Sequence, residues 1–246
     1  MKFLFGIMNP RQLPFFLKSL KALDYVDVLL AQNMELVTAM TAIRNYFLKS
    51  NYDYLLFTSD NVTIPYLGPH KLIKDIEEMG YDIITGWSPI SPQLKVANIG
   101  RFDVAKNADA IRKKRGYFPQ KDALLYTVKE IEEMLKQGKR IIPIWFTGWS
   151  ITAMSRVVVE NWTPLGWVFQ RRTKYKPAVY KGERGWWCQA DYWFSYELCK
   201  KGFKSYADLT VRVPHTRTVL STLLVGKKRA RTTLIKAKKP LSKVKT

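Results

Sequence analysis

Three side chains with the chemistry of a catalytic or metal site stand where regular structure gives way to turns or begins a helix: Asp60, Asp191 and His215. Asp60 lies in Thr58-Ser59-Asp60-Asn61, a polar turn segment directly after the apolar run of residues 54–57. Ligands of an α/β sheet gather beyond the carboxyl ends of its strands. A lone carboxylate there, beside hydroxyl and amide groups, suits an oxygen-seeking divalent cation that clamps a diphosphate. The same residues also suit an Asx turn that merely ends a strand. His215 follows Val211-Arg212-Val213-Pro214. A neutral imidazole with a carboxylate is a workable ligand pair for Mn²⁺, and Mg²⁺ is less inclined to nitrogen. A surface-loop histidine is the plainer alternative.

Asp191 sits in Trp186-Trp187-Cys188-Gln189-Ala190-Asp191-Tyr192-Trp193-Phe194. An acid among so many rings is partly desolvated, which raises its pKa and suits it to abstract a proton. An N-cap role fits it equally. Trp187 is a surface for a sugar ring or base to stack on, or else a core residue. Arg44, with Asn45, precedes the Asp60 strand and is either a phosphate ligand or an ordinary helix arginine. The chain holds no Gly-x-Gly-x-x-Gly, no Walker loop, no His-Glu-x-x-His and no Gly-x-Ser-x-Gly.

Positioning these groups requires a scaffold of alternating strands and helices. Strands are expected at residues 3–8, 26–30, 54–57, 82–85, 140–146 and within 203–213. Helices are expected through Leu13–Leu23, Leu36–Phe47, Leu72–Met79, Leu124–Leu135, Ile151–Val158 and Asp191–Lys201. Such alternation implies a largely parallel sheet with helices on its faces. Pro143 places its strand at an edge or a bulge. Residues 88–119 lose periodicity and collect prolines and glycines, as an insertion or lid does.

At 246 residues, with 47% hydrophobic and 13% aromatic content, the chain can build one sizeable domain. Cys188 and Cys199 are too few for a disulfide framework or a cysteine zinc site, so a reducing, cytoplasmic setting is expected. The short apolar start is broken by Asn9-Pro10-Arg11 and reads as a first strand rather than a leader. The formal net charge is +21. Residues 227–246 carry Lys227, Lys228, Arg229, Arg231, Lys236, Lys238, Lys239, Lys243 and Lys245 without an acid. This field favours nucleotides, nucleic acid or an anionic membrane face. The tail, 218–246, is expected to be disordered and to touch a membrane peripherally if it has a partner.

Taken in order, the segments resemble glycosyltransferases of the A-type fold, especially their inverting, family-2-like group. The resemblance is carried by residues 3–9, Ala42-Ile43-Arg44-Asn45, Thr58-Ser59-Asp60, Ile84-Thr85-Gly86, Phe146-Thr147-Gly148-Trp149, Ala190-Asp191 with Lys200-Lys201-Gly202-Phe203, and Val213-Pro214-His215. It implies a single Rossmann-like α/β domain over 1–217, with a mostly parallel central sheet and helices on both faces. It further implies transfer of a sugar from a nucleotide-diphosphate donor to a hydroxyl acceptor on a glycan, lipid or protein, with inversion. On that pattern Asp60 and His215 hold Mn²⁺ or Mg²⁺, and Asp191 is the general base. Asn9, Arg44, Ser59, Asp60 and Asn61 lie on the donor side, and Gly148, Trp149 and Trp187 on the acceptor side. Thr58 stands where the family has the first acid of Asp-x-Asp, and Ala190 where it has a glutamate. A nucleotidyltransferase and a non-catalytic nucleic-acid-binding protein are the competing expectations, the latter less favoured because strand-end acids sit badly in a phosphate groove.

Overall fold

The computed structural model describes residues 1–9, 14–20, 23–91, 95–101, 103–104, 106, 125–164, 178–180, 183–185, 190–215 and 231–238. The first half follows the expected alternation. Strand β1 (Phe3–Asn9) leads to α1 (Pro14–Leu20), β2 (Asp27–Gln32) to α2 (Leu36–Leu48), and β3 (Tyr54–Ser59) to α3 (Gly68–Met79). On α2 the buried residues Ala39, Met40, Ile43 and Phe47 recur at helical spacing. Burying each of the larger three contributes about 1.5–3 kcal/mol. Helix α3 stops at Gly80, whose φ of 66° is left-handed backbone that glycine adopts without strain.

Strand β4 (Ile83–Trp87) is followed by β5 (Pro89–Ser91), β6 (Val96–Gly100) and β7 (Leu125–Thr127). Strands β5 and β6 occupy part of the segment expected to be an irregular insertion, 88–119, whose remainder lies largely outside the described residues; β7 falls where the expected helix from Leu124 would begin, and helix starts only at Val128. Helix α4 (Val128–Lys136) opens with a capping box: Thr127 Oγ1 accepts from Glu130 N, and the Glu130 carboxylate accepts from Thr127 N at 2.7 Å. Then come β8 (Ile141–Ile144), β9 (Phe146–Thr147), β10 (Thr152–Ser155), α5 (Arg156–Asn161), the hairpin β11 (Ala178–Tyr180) and β12 (Glu183–Gly185), α6 (Ala190–Lys200), β13 (Ser205–Arg212) and β14 (Arg231–Ile235).

Among the described residues the main sheet has eight strands in the order β14-β2-β1-β3-β10-β4-β13-β8. Pairing is parallel between β2 and β1, β1 and β3, and β4 and β13. It is antiparallel for β14 with β2, β3 with β10, β10 with β4, and β13 with β8. The sheet is therefore mixed, not mostly parallel. One reason is β10. Ile151, Met154, Val157 and Val158 fit a helical spacing, yet Thr152–Ser155 is a strand buried at every position, which erases the two-residue alternation that marks a strand. Only residues 156–161 become helix. Pro143 does lie on an edge strand, β8.

Alternation along β1, β2 and β3 sends successive side chains to opposite faces. Phe3, Phe5, Ile7, Val28, Leu30 and Leu56 pack against α1 and α3. Leu4, Met8, Leu29, Leu55 and Phe57 pack against α2, α5 and α6. Helices thus cover both faces. Part of the tail is ordered, contrary to the expectation of disorder for 218–246. The β-branched run in β14 pairs with β2 from Arg231↔Gln32 to Ile235↔Val28. Its far end is held by Asp27, which accepts from Lys236 Nζ and from Ala237 N, both at 2.8 Å, and from the Tyr52 hydroxyl. Among the described residues no helix is long and apolar enough to cross a membrane.

Candidate functional site

The connection through α1 carries the chain from β1 to β2 on one side, and the connection through α2 returns it to β3 on the other. Strand order therefore reverses at β1, the kind of switch point where a sheet opens a crevice at its carboxyl edge. Register places Asn9 opposite Gln32 of β2, and Met8 opposite Ser59 of β3. Asn9, Ser59, Asp60 and Asn61 consequently share this edge. Asp60 is fully buried in the turn after β3, while Ser59 and Asn61 are half-buried.

His215 reaches the same place from the other end of the chain. Beyond β13, Val213 N donates to Trp87 O at 2.8 Å and Thr63 N donates to Pro214 O at 2.9 Å. His215 itself forms an antiparallel bridge with Val62. The Asn61 amide donates to His215 Nε2 at 2.9 Å, and the Asn61 carbonyl oxygen accepts from the Ser59 hydroxyl. An imidazole nitrogen that accepts carries a lone pair, so this contact places the proton on Nδ1; a metal could use the Nε2 lone pair only in place of the Asn61 amide. Asp60 and His215 are brought to one edge; across the described residues no group of three or more His, Cys, Asp or Glu has metal-site geometry. One carboxylate and one imidazole suit a Mg²⁺- or Mn²⁺-type ion whose remaining ligands are phosphate oxygens and water.

Thr58, in the position of the missing acid, is buried and donates to the carbonyl of Ser150. Its hydroxyl ties β3 to the turn before β10. That turn is held by further buried hydroxyl and amide contacts: Thr147 Oγ1 to Thr85 Oγ1 at 3.2 Å, Asn98 Nδ2 to Ser150 Oγ at 2.7 Å, and Gly148 N to Asn98 O at 2.8 Å. Gly148 is required by this close approach. A Cβ there would stand 2.9 Å from both Cβ and Nδ2 of Asn98.

Trp149 departs from its expected acceptor role. It is only 7% exposed and packs edge-on against Phe57, Trp162 and Phe194 with centroid separations of 5.3, 6.0 and 5.6 Å. Its φ of 54° is unusual for so bulky a residue, and its Nε1 has no hydrogen-bond partner among the described residues. The ring packs between Phe57 of β3, three residues before Asp60, and Phe194 of α6, three after Asp191. Trp187 lies outside the described residues.

Asp191 occupies the first turn of α6. It is not the N-cap. Tyr192 N donates to its Oδ1 at 2.9 Å, and Ser195 Oγ donates to its backbone oxygen at 2.9 Å. One turn on, Ser195 Oγ accepts from Thr147 N at 3.3 Å, and Tyr192 stacks on Phe146 at 4.3 Å. The start of α6 is thereby fixed beside the 147–150 turn. Burial pushes the Asp191 carboxyl up to about 6, with the backbone N–H groups of Tyr192 and of Asp191 itself acting in the opposite direction. Ala190 is buried with Phe194 and Leu198, a position where a glutamate would need a partner for its charge.

Arg44 does not face the donor edge. Helix α2 starts beyond the carboxyl end of β2 and runs back toward the amino end of β3, so eight residues of helix carry Arg44 about 12 Å away from that edge. Its Nε and Nη2 donate to the carbonyls of Val159 and Glu160 at 3.0 and 2.9 Å, at the end of α5. Arg156, opening α5, donates in return to carbonyls at the end of α2 and just beyond it, including Ser50 O at 2.8 Å. The two arginines satisfy each other's helix ends.

No family model matches the chain, and no curated protein matches it. Among solved structures, one similar chain is described as "Crystal Structure of A197 from STIV". It shares 14% identity with this chain, with 89% of this chain and 95% of that chain covered and a TM-score of 0.49.

Proposed function

We propose that the protein is a metal-dependent glycosyltransferase that moves a sugar from a nucleotide-diphosphate donor to a hydroxyl acceptor, with inversion. The observation that carries this reading is the meeting of Asn61 and His215, 154 residues apart in sequence, beside buried Asp60 at the reversal point of the sheet. Asp60 and His215 are the residues that would hold Mn²⁺ or Mg²⁺. A bound ion of this kind supplies neutralisation of the charge that grows on a departing diphosphate. Asn61, which occupies Nε2 of His215, would release that nitrogen to the ion on binding. Asn9 and Ser59 end β1 and β3 at this edge, on the donor side.

Asp191 is the general base. At about 6, its carboxyl is basic enough to take a proton from a hydroxyl and is still ionised near neutral pH. Attack by a hydroxyl so activated, opposite the diphosphate, inverts the anomeric carbon. The net charge of +21 draws anionic donors toward the chain.

The test is a panel of nucleotide sugars screened by thermal shift with and without Mn²⁺. A donor at a hundredfold excess over its Kd stabilises by ~2.7 kcal/mol. The wild type should shift with one donor, and Asp60→Ala should lose the metal-dependent part. No shift with any donor overturns the proposal. Release of pyrophosphate instead of a nucleoside diphosphate would identify a nucleotidyltransferase.

A further inference from the structure

The rim of the same edge is completed by a residue from the basic tail. Strand β14 runs antiparallel to β2, so its first residue, Arg231, lies at the carboxyl edge directly opposite Gln32, which in turn lies opposite Asn9. With strands ~4.8 Å apart, the Cα of Arg231 is roughly 14 Å from that of Ser59 across three pairings, a span on the scale of a nucleoside diphosphate.

Gln32 is 7% exposed. Its Oε1 accepts from Arg231 Nε at 3.0 Å and from Thr233 Oγ1 at 2.9 Å. Arginine only donates, so the atom facing it must be the amide oxygen. The Gln32 NH₂ is therefore on the side of the amide turned away from Arg231. Arg231 is exposed and forms no ion pair among the described residues. Lys236, on the same strand, is by contrast bound to Asp27. An amide whose oxygen is held by Arg231 and Thr233, beside an exposed guanidinium, sets N–H donors at this edge that suit a phosphoryl oxygen.

We propose that Gln32 and Arg231 form a donor pair that binds a phosphoryl group at the carboxyl edge of the sheet, so that the C-terminal strand supplies part of the anion site. In its biological form this deepens, and rests on, the transferase proposal, with the phosphoryl group belonging to the nucleotide donor. The anion chemistry can also be tested alone.

The experiment is calorimetric titration of the full-length chain with inorganic pyrophosphate in EDTA at two salt concentrations. It is repeated with Arg231→Gln, Arg231→Lys and Thr233→Val. Arg231→Gln should weaken pyrophosphate binding about tenfold or more, the scale of one charge-assisted hydrogen bond. It should also lower the slope of log K against log salt by about one. Arg231→Lys should retain most of the affinity. Thr233→Val breaks the other bond to Gln32 Oε1 without touching the charge and should leave the salt slope unchanged, which separates anion binding from strand docking. Wild-type affinity in Arg231→Gln overturns the proposal, as does a wild type that binds no pyrophosphate. If nucleotide sugars still stabilise Arg231→Gln as they do the wild type, only the donor pair falls. If pyrophosphate binds through Arg231 and no nucleotide sugar binds, the transferase assignment falls and the anion site stands.

Discussion

Replacing Asp191 with asparagine should stabilise the protein at neutral pH while abolishing transfer. The carboxyl is raised from 3.8 to about 6 in the folded chain. Between those values the native state holds more protons than the unfolded state, so stability falls as pH rises through that window. At pH 4 most of the contribution is intact; above pH 7 it is lost. A difference of about two units is worth about 3 kcal/mol at 1.36 kcal/mol per unit. Asparagine keeps an oxygen for the Tyr192 N–H and cannot ionise. It should gain little over the wild type at pH 4 and about 3 kcal/mol at pH 8, or roughly 6–12 °C in Tm for a chain of this size. Urea or thermal unfolding at the two pH values measures this directly. A variant that is less stable at pH 8, or one offset equally at both, would show that ionised Asp191 stabilises the helix start and is not desolvated. The activity arm is separate: wild-type kcat/KM should drop tenfold per unit below about pH 6, and the variant should lose ~10²–10⁴-fold.

Other substitutions probe the frame. Arg140 binds the buried carboxylates of Asp75, through Oδ1, and Asp208, and Asp75 Oδ2 has no hydrogen-bond partner among the described residues. Arg140→Leu should cost about 3–5 kcal/mol in denaturant unfolding, because it strands buried charge. Arg44→Ala should destabilise by ~1–3 kcal/mol through two uncapped carbonyls and leave the affinity for a nucleotide donor unchanged, as calorimetry would show. Gly148→Ala should displace Asn98 and lower both Tm and kcat, with KM for the donor little altered.

The strand ends and the start of α6 were legible because polar turn residues and an acid interrupt apolar runs at Asp60, Asp191 and His215. Their mutual placement was not. Nothing local to Asn61 announces His215, since that contact depends on how β13 pairs with β4. The helical misreading at 151–158 arose because a four-residue strand buried on both faces shows no alternation. Arg44 was misplaced for a related reason: a sequence gives its helix but not how far along the sheet that helix carries it. In the tail, the density of lysine and arginine hid Thr232-Thr233-Leu234-Ile235, a β-branched run that was the available signal for β14.

That strand also governs how the protein behaves outside its native context. β14 covers the outer side of β2, five paired residues long, and is fastened at Gln32 and at Asp27. A chain cut before residue 231 would leave β2 with a bare row of amide and carbonyl groups, a template onto which a second molecule can add its own strand. Such a shortened protein is expected to self-associate with rising concentration even with its core intact, so affinity tags and proteolytic trimming are safer placed at the opposite terminus.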